Sequence, residues 1–164
     1  MSMQDYEKAK ELLTKSSGIS TFVGPRPKKL IDLVQERLSV KFPGTYRRFL
    51  LEYGAGGVGS FEIYGVINED FENSGIPDMV WLTLRERKEW SLPEFFIPVY
   101  DLGNGESFYL DLRTFEGDEA KVVGFTPGDS SAIQSLDVVA EDFGKLFLDL
   151  IQLELKVQHL RQKD

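Results

Sequence analysis

A single histidine, His159, and the complete absence of cysteine restrict the chemistry open to this 164-residue chain. A histidine-based triad needs an imidazole oriented by a carboxylate and within reach of a nucleophile. His159 lies instead near the C-terminus among Lys156, Gln158, Arg161 and Gln162, which reads as the solvent-facing end of a helix. Ser130 and Ser131 follow Gly128-Asp129 but lack the strand–turn–helix frame of a nucleophile elbow. The glycine-rich run Gly54 to Gly59 follows a helical pattern and precedes a strand. A phosphate loop has the reverse order, so that helix N–H groups point at the anion. Without thiols there is no disulfide framework, thiolate metal site or cysteine nucleophile, which is compatible with a reducing cytoplasm. Carboxylates remain. Asp101, Glu106 and Asp111 lie around one expected hairpin, and Asp118 and Glu119 lie in the next turn. Clustered oxygens suit hard cations, but this spacing matches no EF-hand loop, and no flanking motif marks a glycosidase pair. The expectation is a protein that is not an enzyme and that holds no metal or cofactor.

The charge distribution says more. The net charge is −8, from 19 Lys and Arg against 27 Asp and Glu. Such a chain is ill suited to phosphate backbones, so no direct nucleic-acid partner is expected; it suits a basic protein. Between Arg26 and Arg48 there are seven bases and two acids, whereas Asp101 to Glu119 carries six acids and Arg113 alone. Glu62, Glu69, Asp70, Glu72 and Asp78 form a further base-free run. This predicts a basic helical side and an acidic sheet-and-loop side. The candidate partner-binding residues are Glu69, Asp70, Glu72, Asp101, Glu106, Glu116, Asp118 and Glu119. An acidic surface of this kind can steer onto a basic active-site cleft; a face that is merely solvated fits the same charges.

The elements that must position these residues centre on Phe42 to Gly59. Pro43 suits a helix start because it lacks the N–H that a first turn leaves unpaired. Tyr46, Phe49, Leu50 and Tyr53 recur at spacings of three and four, one face of a short helix. Gly54 falls where a left-handed cap is common. Gly56, Gly57 and Gly59 are expected to turn the chain into a strand over Ser60 to Val66. Before this stretch, helices are predicted over Asp5 to Lys15 and Lys28 to Leu38, the second with Leu30, Leu33, Val34 and Leu38 on its inner face. After it come a loop from Asn68 to Asp78 and a segment from Met79 to Trp90 whose propensities favour a helix, although Val80 to Leu84 also suits a strand. Strands follow at Phe95 to Tyr100, with Pro98 marking an edge or bulge, then at Ser107 to Leu112 and, last, at Lys121 to Phe125. Gly103-Asn-Gly105 and Glu116 to Glu119 supply the turns between them. A closing helix starts at Asp142, and residues 157–164 are its fraying tail. No apolar leader opens the chain and no apolar run reaches the ~20 residues of a membrane span, so no membrane association is expected. Residues 1–164 are read as one α+β domain, an antiparallel sheet of four or more strands covered by helices, with a long C-terminal helix.

The spacing Pro43-x-x-Tyr46-x-x-Phe49-Leu50, followed by Gly56-Gly57, resembles the signature of the SUKH superfamily. That superfamily includes the yeast cell-wall synthesis regulator and many bacterial immunity proteins. The likeness continues through Ile97-Pro-Val99, Ser107 to Leu112, Val122 to Phe125 and Phe143-x-x-Leu146-Phe147-x-x-Leu150. These look like the three antiparallel strands and closing helix of the second half of that fold. Two departures stand out: Gly54-Ala-Gly-Gly57 occupies the place where members often carry Asn-Gly-Gly, and the final helix is longer than the fold needs. The resemblance implies a non-catalytic, cytoplasmic immunity protein that binds and neutralises a cognate basic toxin, a nuclease being one class. The alternative it implies is a regulatory interaction scaffold of the cell-wall-regulator type. Oligomeric state stays open.

Overall fold

The computed structural model describes residues 2–16, 18, 20–129 and 136–162. Its helices are α1 (Ser2–Lys15), α2 (Lys28–Leu38), α3 (Gly44–Glu52), α4 (Met79–Trp90) and α5 (Phe143–Gln162). Its strands are β1 (Ser20–Phe22), β2 (Gly56–Val58), β3 (Phe61–Ile63), β4 (Phe96–Asp101), β5 (Ser107–Glu116), β6 (Glu119–Phe125) and β7 (Val138–Ala140). The fold is α+β. Its strands form two antiparallel sheets, β1-β2-β3 and β4-β5-β6-β7. The Tyr64 N–H donates to the Val99 carbonyl at 2.9 Å and ties the first sheet to the second.

Helix α3 is the hub. Pro43 is its N-cap, in an extended conformation at φ −59° and ψ 152°. Tyr46, Phe49 and Leu50 are fully buried, as their three-and-four spacing requires, and Tyr53 is half-buried. The Phe49 ring lies 5.3 Å from Phe143, 5.4 Å from Phe147 and 5.9 Å from Phe22, so α3, α5 and β1 share one aromatic cluster. The Tyr46 hydroxyl donates to the Tyr64 carbonyl at 2.8 Å and fixes α3 to the end of β3. Gly54 has φ +75°, and a Cβ there would sit 2.6 Å from the Gly24 carbonyl oxygen. The sharp exit of α3 therefore requires a residue without a side chain.

Three expectations change. Gly56-Gly57-Val58 is not a corner but the central strand of the first sheet, with β1 and β3 on either side. A Cβ on Gly56 (φ +128°) would meet the Thr21 carbonyl at 2.5 Å, and one on Gly57 would meet that of Phe61. The pair is glycine because flanking backbones approach it from both sides; the reversal itself falls at Gly59-Ser60. Strands β1 and β7, three residues each, were not anticipated, and β6 is followed by β7 rather than being last. Such short strands carry no measurable alternation. In α2 the inner face is Ile31, Val34 and Leu38, while Leu33 is 42% exposed and Leu30 half-buried. The apolar residues of this helix cover two faces, and the tertiary partner selects between them. Helix α5 runs to Gln162 and takes in the helical tail. Ser130, Ser131 and residues 163–164 lie outside the described residues.

The main core packs α1, α3 and α5 on one side of the second sheet, with Ile97, Val99, Leu110 and Val122 facing them. Alternate strand residues, Phe96, Tyr109, Val123 and Phe125, point to the opposite face and form a smaller cluster with Leu92, as the period of two dictates. The β4–β5 register shifts between Pro98 and Tyr100, a bulge at the proline, and β4 is an outer strand of its sheet.

Candidate partner-binding surface

The acidic candidates fall into three groups. Glu69, Asp70 and Glu72 sit exposed on the loop between β3 and α4. Phe71 anchors that loop, only 8% exposed. The Arg26 guanidinium clamps it from α2's side, donating to the carbonyls of Ile67 at 2.8 Å and Val23 at 2.9 Å. Arg26 is thus a structural cation rather than part of a free basic face. Asp70 accepts from Asn73 at 3.2 Å, and Glu72 lies 3.7 Å from Arg37. Grooves flank the loop on both sides. One, of about 710 Å³, runs between α2 and the loop, with Leu30, Leu33 and Ile67 in it and Lys29, Glu36 and Glu69 at its rim. The other, of about 520 Å³, lies between the loop and α4 and is lined by Arg37, Phe71, Trp81 and Arg85.

Asp101 and Glu106 flank the β4–β5 turn. Asp101 Oδ1 accepts from the Gly103 N–H at 2.8 Å, and Asn104 Oδ1 accepts from that of Glu106 at 3.1 Å. Glu106 lies half-buried over Gly124, where any side-chain Cβ would collide with its carboxylate. Asp101 also borders a concavity of about 220 Å³ shared with Glu62, Tyr64, Ile76 and Tyr100. Burial, and then the negative charge of Asp101, make both tyrosine hydroxyls harder to ionise.

Glu116, Asp118 and Glu119 belong to the β5–β6 turn. Its tip docks on the N-terminus of α3: the Gly44 N–H donates to the Asp118 carbonyl at 2.8 Å. The Thr45 N–H and hydroxyl donate to the two Glu119 carboxylate oxygens at 2.9 and 2.8 Å. The Thr45 hydroxyl in turn accepts from the Gly144 N–H at 3.0 Å. Glu119 is therefore a remote cap of α3 that also reaches the start of α5. Burial pushes its carboxyl above the ordinary range despite the bonds from Thr45. The Asp118 side chain shares a groove with Lys41, Arg47 and Arg48.

The expected division into a basic helical side and an acidic sheet side does not hold. Glu72 meets Arg37, and the Asp118 turn lies among the bases of α3, because the hairpin tip supplies acceptors to the helix N-terminus. Asp78 leaves the surface altogether: it is 1% exposed and caps α4, accepting from Val80 at 2.9 Å and Trp81 at 3.1 Å. The second and third groups stand at opposite ends of the ten-residue β5, roughly 30 Å apart at 3.4 Å per residue. One small epitope cannot include both.

Among the described residues, only Glu72 of the eight candidates has a cation within 4.0 Å. Among those same residues no three His, Asp or Glu side chains are gathered as a metal ion needs, and His159 is exposed on the last turns of α5. Glu62, Tyr64, Ile76 and Tyr100 join Asp101 without having been candidates. The alternation of Phe61-Glu62-Ile63 was the available signal for Glu62, which faces out between two buried neighbours.

The chain matches a family model described as SMI1-KNR4 cell-wall over residues 6–152. It is similar in structure to a protein from Pseudomonas syringae pv. tomato known from a crystal structure, with TM-score 0.50 and 13% identity, covering 73% of this chain and 81% of that one. At that identity the likeness is one of fold. No curated protein sequence matches. Among the described residues no helix is long and apolar enough to cross a membrane.

Proposed function

The chain belongs to the SUKH family described as SMI1-KNR4 cell-wall, and from that footing we propose that it is a non-catalytic immunity protein that binds and neutralises a cognate basic toxin in the cytoplasm. The supporting observation is the set of exposed carboxylates, Glu69, Asp70, Asp101, Glu116 and Asp118, that stand without a cation within 4.0 Å among the described residues. Short hydrogen-bonded turns hold Asp70 and Asp101, so little ordering is left for association. Unneutralised acids on a rigid scaffold attract a basic cleft over about one Debye length, roughly 8–10 Å at physiological salt, and occlude it on docking. A nuclease, whose cleft must be basic to hold phosphates, is a toxin class of this kind.

Co-expression with the products of neighbouring genes, followed by association kinetics across ionic strength, tests this. A toxin that is captured and silenced with a salt-sensitive on-rate is the expected result. Turnover of a substrate by the purified protein alone would overturn it. The apolar groove beside α2, containing Leu30, Leu33 and Ile67, favours a second reading, a regulatory scaffold that takes a peptide from a signalling partner. Capture of a regulator in the absence of any neighbouring toxin gene would select it.

A further inference from the structure

The concavity beside Asp101 differs from the other acidic places in having aromatic walls. Phe61 and Tyr100 meet edge to face, with centroids 6.2 Å apart. Tyr64 forms another wall, held by its N–H on Val99 and by the Tyr46 hydroxyl on its carbonyl. Glu62 and Asp101, both exposed, stand at the mouth with Ile76, which is 53% exposed. Leu102, next to Asp101, is 42% exposed.

Two further carboxylates lie behind this rim. Glu154 is 3% exposed and accepts from the Ser60 hydroxyl at 3.2 Å; Ser60 itself lines the concavity. Glu86 accepts from the Tyr109 hydroxyl at 2.7 Å. Among the described residues none of Glu62, Glu86, Asp101 and Glu154 has a cation within 4.0 Å. Their charge reaches the slot: Asp101, Glu86 and Glu62 all resist ionisation of Tyr64, and Asp101 and Glu154 resist that of Tyr100, after burial as the larger cause. A carboxylate held out of water without a countercharge is unfavourable, and a cation brought to it relieves the cost. The electron-rich faces of Phe and Tyr attract the same ligand. Size narrows the choice. Small-molecule sites span about 300–1,000 Å³, and this concavity, at about 220 Å³, suits one side chain.

We propose that this slot receives a single lysine or arginine side chain of a basic protein partner, its cation between Glu62 and Asp101 against the rings of Tyr100 and Phe61, with Ile76 and Leu102 packing on the apolar surface around it. This deepens the binding reading above by naming one contact point, and it rests on that reading only in taking the partner to be basic.

The test uses the full chain and a hexalysine peptide at low ionic strength, followed by NMR. Binding should shift resonances of residues 60–64, 76 and 100–102. Glu62→Gln with Asp101→Asn should weaken it roughly tenfold. Glu116→Gln with Asp118→Asn removes the same charge from the far end of β5 and should change affinity less than about threefold. Equal weakening in the two variants would overturn the proposal in favour of a general field effect. So would shifts centred on residues 67–72, or the same shifts produced by Ca²⁺ or Mg²⁺ alone. A captured toxin that binds the slot variant at full strength would refute the slot and leave the immunity reading standing. Hexalysine seated in the slot while no neighbouring gene product is bound would do the reverse.

Discussion

Replacing Glu119 separates an acid that holds the fold from one that awaits a partner. Its two oxygens take the Thr45 N–H at 2.9 Å and the Thr45 hydroxyl at 2.8 Å, at a site where the hairpin tip meets α3. Glu119→Ala removes both acceptors and leaves the Thr45 N–H of the first turn of α3 unpaired, with only the Gly44 N–H still held by the Asp118 carbonyl. A hydrogen bond to a charged group contributes about 1.5–3 kcal/mol, and a lost cap costs about 0.5–2 kcal/mol. These overlap, so the expected loss is about 2–4 kcal/mol, or a fall of roughly 5–15 °C in Tm for a chain of this length. Glu119→Gln keeps one acceptor and should cost about 1 kcal/mol. The pH dependence has a definite sign. Burial raises the folded carboxyl above its unfolded value, so the charged form is the one folding disfavours. The associated stability is fully present below the unfolded value of about 4.3 and is lost as pH rises through the folded one. Wild type should therefore exceed the Gln variant by most at low pH, with the gap narrowing upward through that window. Asp78 and Glu86 are raised as well, but they are common to both proteins and cancel in the difference; Asp142, whose charge bears on Glu119, cancels only in part. Urea unfolding at several pH values measures it. A Glu119→Ala protein within about 0.5 kcal/mol of wild type, or a gap that widens with pH, would refute the capping role.

Phe49→Ala, at a fully buried ring shared by α3, α5 and β1, should cost about 3–5 kcal/mol; a loss inside measurement error in urea melts would contradict that packing. Gly54→Ala must accept φ +75° and a Cβ 2.6 Å from the Gly24 carbonyl, and should lose more than about 1 kcal/mol; a neutral substitution would show that the α3 exit tolerates a side chain. Reversing Glu69, Asp70 and Asp101 to Lys should slow association with the cognate toxin and flatten its salt dependence, while circular dichroism and Tm stay near wild type; an unchanged on-rate would place docking elsewhere.

The helices were legible because each buries a stripe long enough to repeat. The bounds Lys28–Leu38 follow from that periodicity, whereas Met79–Trp90 rests on helix propensity, since Val80 to Leu84 also suits a strand, and on the residues at its ends. The α3 hub was legible for the same reason, reinforced by proline before it and glycine after it. What escaped were places where the partner, not the segment, decides. Gly56-Gly57 has no side chains to alternate, and its strand state depends on β1 and β3 arriving on either side. Leu33 satisfies a helical stripe as well as Ile31 does, and only the packing of α2 turns it outward.

The acidic surface shows the same division more sharply. Charge along a sequence counts every carboxylate alike, whereas in space the question is whether its oxygens are already engaged. Asp78 and Glu119 cap α4 and α3. Asp142 accepts from Lys145 at the start of α5 at 2.9 Å. Asp111, 4% exposed, holds Arg113 at 2.8 Å. Each lies in an acid-rich stretch, and each is occupied by the fold. Glu62 shows the converse. It sits alone between apolar neighbours in β3, and it reaches an unneutralised slot only because Tyr64 bonds to Val99 and brings the end of β4 alongside. Acids available to a partner are thus those left over after helix ends and arginines have taken theirs. In this chain two of that remainder, Glu62 and Asp101, stand with aromatic rings around one concavity.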